Sequence, residues 1–112
     1  MTAKSNDQAI EEARSEIDLL DQQLISLLNQ RFVAIEKLGA LKRQQGLPIF
    51  QPERWENSRQ RRRNLAIEKK VPLDLVESIW TLIHQAALDC QMQQDHEDST
   101  PDSNENPAPR KL

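Results

Sequence analysis

The chain has 112 residues, of which 37% are hydrophobic, 4% aromatic and 29% charged, with two glycines, one cysteine and a formal charge of −3. That length fits one domain around one core, and so little glycine with few β-branched runs argues against a sheet. A lone cysteine, Cys90, excludes an internal disulfide and fits a reducing compartment, and no stretch is long and apolar enough to span a bilayer.

The opening MTAKSNDQ lacks an apolar signal core, so the expectation is a soluble, cytoplasmic protein with no membrane partner. The negative charge is local. From Asp95 to Leu112 five acids stand against two bases, which accounts for the whole of it, and the rest of the chain is balanced. Neither a uniformly basic nor a uniformly acidic partner follows from such a distribution.

Residues 1–7 read as a flexible N-terminus, with Asp7 placed to cap a helix whose first turn holds Glu11 and Glu12. Helical periodicity then runs unbroken to about Gln45, and Gly46 suits the position that follows a helix. Such a helix is roughly 55 Å long, whereas a compact chain of this size has a radius of gyration near 13 Å. Something beyond the chain's own short helices must cover it. LPIFQP (47–52) reads as an extended connector, because Pro48 and Pro52 bias the preceding residues away from helix.

Pro52 opens a second helix over about 52–69, with Gln51 a weak cap. A turn at KKVP leads to a third helix over 72–94, striped by Leu75/Val76, Ile79, Ile83, Ala86/Ala87 and Cys90, with Trp80 also read as core. Residues 95–112 are polar and Pro-bearing and are expected to form a disordered acidic tail beyond a helical domain at 8–94. The fold class is all-α: three helices, one of them very long and N-terminal. Two chains laying their long helices antiparallel would make an intertwined homodimer.

The apolar register of the long helix is broken in an informative way. Counting by threes and fours gives Arg14, Ile17, Asp21, Leu24, Leu28, Arg31, Ile35, Leu38 and Lys42. Three cations share the stripe that should be buried. Long basic side chains can snorkel outward, but buried cations are costly unless paired, and few acids lie on this face. An anionic ligand is the better counter-charge. Arg31 and Lys42 lie about 16 Å apart along the helix and can converge on a small molecule, while Arg14 lies roughly 25 Å from Arg31 and needs an antiparallel partner to return it.

Arg54 near the start of the second helix and Gln91 on the third extend this set. Several cations with an amide and no evident nucleophile or general base suit a small dicarboxylate handled by positioning and electrostatics.

These residues carry a resemblance. From about Gln8 to Gln94 the chain is similar to the all-helical AroQ-type chorismate mutases, through ARSEIDLLDQQLISLLNQR, VAIEKLGALK, PIFQPER and the third helix ending in CQ. The resemblance implies cofactor-independent rearrangement of chorismate to prephenate in aromatic amino acid biosynthesis (the shikimate pathway), in a homodimer with shared active sites and without metal. Arg14, from across the dimer, and Arg31 would hold the substrate carboxylates. Lys42 and Gln91 would act catalytically on the ether oxygen, with Arg54, Gln51, Trp55 and Ala87 at the remaining substrate-binding places.

Three positions depart from the family pattern. Trp55 stands where a glutamate usually reaches the ring hydroxyl, Gln51 replaces an aspartate, and Ala87 replaces a small hydroxyl residue. An apolar residue after Arg54 resembles the isochorismate-pyruvate lyases of the same fold, so isochorismate or an amino-substituted chorismate stays open as substrate. A packing role for Trp55, facing away from the site, is open too. So is a non-catalytic helical interaction module, although three cations in the seam fit it poorly.

RQRRR (59–63) has no interleaved aromatics and reads as a solvated helix face rather than a nucleic-acid site. His84 and His96 lack companions at metal spacing, and Cys90 reads as a small buried residue.

Overall fold

The computed structural model describes residues 5–99, with side chains through residue 93. Helix α1 spans Asn6–Gln45, α2 Pro52–Lys69 and α3 Leu73–Ser99, and among the described residues there is no strand. The chain divides into two compact units, one ending at Ala34 and the next beginning at Ile35, with α1 continuing from the first into the second.

In the first unit the cap is Ser5 rather than Asp7. The Gln8 N–H donates to Ser5 Oγ at 3.1 Å and the Ala9 N–H to the Ser5 carbonyl at 3.0 Å, so Asp7 falls inside the first turn. Both residues satisfy the capping chemistry; the hydroxyl wins by lying one residue before the helix. Every residue from Ser5 to Gln30 is exposed, including the expected core stripe, with Ile17 56% and Leu24 60% accessible. Each such side chain leaves roughly 1.5–3 kcal/mol of burial unrealised. Burial begins at Arg31, which is half-buried, and Phe32, which is buried.

The second unit opens on the end of α1. Gly46 takes φ +67, the Leu47 N–H donates to the Lys42 carbonyl at 2.8 Å, and the Gly46 N–H donates to the Arg43 carbonyl at 3.2 Å. This pair of bonds is the Schellman closure expected of a glycine just past a helix. The connector then runs to Gln51, whose extended backbone (φ −121, ψ 99) carries no side-chain cap bond, and Pro52 begins α2. The Trp55 N–H donating to the Gln51 carbonyl at 3.0 Å is the first bond of that helix.

Helix α2 ends with the same closure: the Val71 N–H donates to the Ala66 carbonyl at 2.9 Å and the Lys70 N–H to the Ile67 carbonyl at 3.2 Å. Here the left-handed residue is Lys70 (φ 58), which has a Cβ to accommodate. The turn sends α3 back along α2. Among the described residues of this unit, the buried apolar side chains are Ala66 on α2 with Val76, Ile83 and Ala87 on α3. The expected stripe on α3 is buried at Val76, Ile83 and Ala87 and half-buried at Ala86 and Cys90, but Leu75 and Ile79 on it are exposed, and Trp80, also read as core, is half-buried. A helix face about 100° wide holds either Val76 or Leu75 at its centre, and packing against α2 selects Val76.

Charge also ties the pair. Arg59 Nε donates to Glu77 Oε2 at 2.8 Å, Arg63 approaches Glu77 Oε1 at 3.5 Å, and Arg59 reaches Glu56 at 3.1 Å. The basic run 59–63 is therefore not a simple solvated face, since only part of it is exposed. Helix α3 continues through Ser99, past the boundary expected at residue 94, because no breaker occurs before Pro101. The rest of the expected tail, 100–112, lies outside the described residues, as do residues 1–4.

Two stability outcomes follow from this geometry. Replacing Lys70 by glycine removes the Cβ strain of the left-handed position and should stabilise the chain by roughly 0.5–1 kcal/mol, read as a higher melting temperature. The hydrogen bond from Arg59, helped by the charge of Arg59 and Arg63 against some desolvation, holds the Glu77 carboxyl below its ordinary 4.5. Its contribution is present above that ordinary value and is lost as pH falls through the depressed one. The wild-type melting temperature should therefore fall more steeply with pH below 4.5 than that of Glu77→Gln.

Candidate functional site

The residues singled out in the sequence distribute over both units. Arg14 and Arg31 belong to the first; Lys42, Gln51, Arg54, Trp55, Ala87 and Gln91 belong to the second. Arg14 is solvent-exposed on α1 and its guanidinium pairs with Glu11 one turn earlier at 3.0 Å. An exposed i,i+3 pair of this kind contributes about 0–1 kcal/mol, so it leaves the arginine available to a stronger anion. Arg31 is half-buried, and burial pulls its pKa below the ordinary arginine value.

Lys42 is the centre of the second unit's polar geometry. It is half-buried in the last turn of α1, and desolvation lowers its pKa from 10.5. Its backbone carbonyl takes part in the Schellman closure, and its ammonium donates forward to the carbonyl of Ile49. That acceptor is neutral, so the bond leaves the charge of the ammonium uncompensated. A lysine ammonium has three donors, and one bond to Ile49 leaves it capacity for more.

Gln91 on α3 is 4% accessible, and its Oε1 has no hydrogen-bond partner among the described residues. Burying an amide oxygen without a partner costs about 1–3 kcal/mol, and a donor brought to this atom would recover part of that cost. Ala87, one turn before it, is buried at 3%.

On the connector and α2, Gln51 is half-buried and Arg54 exposed. Both line an open recess of about 470 Å³, together with Phe50, Glu53 and Asn57. Trp55 turns to α3: its indole stacks on His84 with centroids 4.0 Å apart and an angle of 29°. Arg62 lies 4.9 Å over the same indole and 5.5 Å from the Trp80 ring, and Phe50 meets His84 at 5.4 Å. The aromatic cluster thus engages the connector, α2 and α3.

His84, the Ile49 carbonyl and Glu77 were not legible as partners in the sequence. Trp55–His84 and Arg59–Glu77 are contacts across a hairpin of helices. The signal that could have found them is antiparallel register, in which α2 positions near 55 and 59 fall opposite α3 positions near 84 and 77. A carbonyl that binds a side chain leaves no trace in composition at all. Among the described residues no group of three His, Cys, Asp or Glu side chains could hold a metal ion, and no helix is long and apolar enough to cross a membrane.

Comparison with known proteins gives this arrangement its context. Residues 13–92 match the family chorismate mutase type II. The chain is 40% identical over 72 residues to the T-protein of Haemophilus influenzae, which is 64% of this chain and 19% of that protein. It is 38% identical over 66 residues to the T-protein of Enterobacter agglomerans, or 59% of this chain and 18% of the relative. It is also 40% identical over 45 residues to the bifunctional chorismate mutase/prephenate dehydratase of Aquifex aeolicus, 40% of this chain and 12% of the relative. The chain therefore spans about a fifth or less of the length of these curated relatives. No solved structure matches it.

Proposed function

The chain belongs to the chorismate mutase type II family, and from that premise we propose that it rearranges chorismate to prephenate in the cytoplasm as an intertwined homodimer. The observation that carries the reading is Lys42, a partly buried cation whose hydrogen-bond acceptor is neutral. The reaction is unimolecular: one ether C–O bond breaks and one C–C bond forms, with no proton exchanged. Breaking the C–O bond ahead of C–C formation places negative charge on the ether oxygen. A preorganised donor there lowers the barrier because the interaction strengthens only in the transition state.

In this reading Lys42 supplies that charge and the Gln91 amide donates beside it. The Gln91 oxygen left without a partner is an acceptor, so it suits a donor at that point of α3, such as a substrate hydroxyl, while the amide N–H would face the ether oxygen. Arg31, with Arg14 from the partner subunit, holds the two carboxylates in the reactive conformer, the entropic part of catalysis. Arg54 and Gln51 complete the substrate-binding places. The exposed apolar stripe from Ile10 to Leu28 supports the dimer, since a second copy of α1 would cover it.

A second reading keeps the fold and changes the substrate. Trp55 occupies the place where the family usually has a glutamate, and its indole is stacked on His84. A ring hydroxyl would find no carboxylate from that residue, which favours isochorismate, with pyruvate elimination, or an amino-substituted chorismate. Product analysis with chorismate, isochorismate and 4-amino-4-deoxychorismate decides between them. Prephenate from chorismate with the highest kcat/KM is the expected result, and pyruvate from isochorismate as the main product would replace it.

On the best of these substrates, Lys42→Ala should lower kcat by about a hundredfold to a thousandfold. The lowered pKa of Lys42 also sets a sign: the charge is lost at lower pH than for an ordinary lysine. The alkaline limb of kcat/KM should thus fall below pH 10.5, and Lys42→Arg, though slower, should move that limb upward.

Shared sites make a separate prediction. Arg14→Ala and Arg31→Ala chains, each inactive alone, should regain activity when unfolded and refolded together, because one site of each hybrid keeps both arginines. Hybrids as inactive as the parents would remove the partner's Arg14 from the site.

A further inference from the structure

We propose that His84 is a positioning residue for Lys42, acting through Phe50 and the carbonyl of Ile49. The inference deepens the proposed catalytic role of Lys42 and rests on that reading for its kinetic consequences.

The connector between α1 and α2 has little backbone bonding of its own. Pro48 and Pro52 have no N–H to donate, and the Gln51 cap carries no side-chain bond. Its two ends are fixed, by the Leu47-to-Lys42 bond and the Trp55-to-Gln51 bond. Between them stand two contacts on adjacent residues. The Ile49 carbonyl accepts the Lys42 ammonium, and the Phe50 ring meets His84 at 5.4 Å.

His84 itself cannot follow the connector if it moves, because it is half-buried on α3 and stacked on Trp55 at 4.0 Å. Trp55 is in turn covered by Arg62 at 4.9 Å. The imidazole therefore holds Phe50, Phe50 fixes the peptide that precedes it, and that peptide's carbonyl aims the ammonium. A donor displaced by about an ångström loses most of its value to a reacting atom, so a ring two contacts away can govern the rate.

The contact that carries the proposal is ring to ring, so it depends on the shape of residue 84. His84→Ala should lower kcat roughly fivefold to tenfold with KM changed less than twofold, the size of a lost aromatic pair. His84→Phe should restore the rate. In a Lys42→Ala background, assayed at higher enzyme concentration, His84→Ala should have no further effect, since the two residues act as one unit. Phe50→Leu cuts the same contact from the connector side, where the ring is 44% accessible and a smaller side chain is tolerated, and it should reproduce His84→Ala.

A readout independent of turnover is the solvent exchange of the Lys42 ammonium protons, followed by heteronuclear NMR. Exchange should accelerate in His84→Ala and Phe50→Leu and return to the wild-type rate in His84→Phe. Effects of His84→Ala and Lys42→Ala that multiply, a loss confined to KM, or unchanged ammonium exchange would each overturn the proposal. If wild-type protein turns over no chorismate-type substrate, the proposed function fails and the exchange measurement alone decides this one.

Discussion

The ammonium of Lys42 has to be satisfied in a partly buried place, and much of the second unit follows from how that is done. Its acceptor is a backbone carbonyl seven residues ahead, so the chain must double back as soon as α1 ends. Gly46 permits that reversal by taking a left-handed conformation open to it at no steric cost. The same turn uses the Lys42 carbonyl as the acceptor for Leu47, so one residue closes the helix through its backbone and the connector through its side chain. A carboxylate at Ile49's carbonyl position would have neutralised the charge. A carbonyl orients the ammonium and leaves the charge in place.

The α2–α3 pair is a frame with unlike ends. Near the connector it is tied by rings, Phe50 and Trp55 against His84 with Arg62 over Trp55. Nearer its turn it is tied by charge, Arg59 and Arg63 on Glu77. Among the described residues between and around them, the buried apolar side chains are small or medium, and no large one is wholly enclosed. Directional contacts thus set the register of this hairpin as much as apolar burial does. The register in turn fixes which face of α3 carries Ala87 and Gln91 inward.

The first unit states the opposite problem. Its helix is regular and well capped, yet Ile10, Ile17, Leu20, Leu24 and Leu28 remain exposed along one stripe. A helix gains most of its stability from packing an amphipathic face, and over residues 10–28 this face is left unpacked within the chain. In the proposed function a second copy of α1 covers it. Arg14 lies on this same stripe, which is why covering the helix and completing the site are one event in that reading.

Helix number, approximate boundaries, the glycine closure after Gln45 and the break in the apolar register at Arg14, Arg31 and Lys42 were all readable from the sequence by itself. These depend on local sterics and on a 3.6-residue period, both of which are written along the chain. The resemblance to the chorismate mutases was carried by the motifs around these cations, and the family match over residues 13–92 bears it out.

Tertiary structure alone decided the rest. It chose Val76 over Leu75 as the inward residue of α3, drew Arg59 and Arg63 out of an apparently solvated run onto Glu77, and turned Trp55 onto His84. It also gave Lys42 a carbonyl for a partner, a group every residue possesses and no sequence pattern can single out. Each of these is a contact between residues distant along the chain or between a side chain and the backbone. Its existence depends on the relative placement of α2, α3 and the connector, which no one-dimensional period encodes.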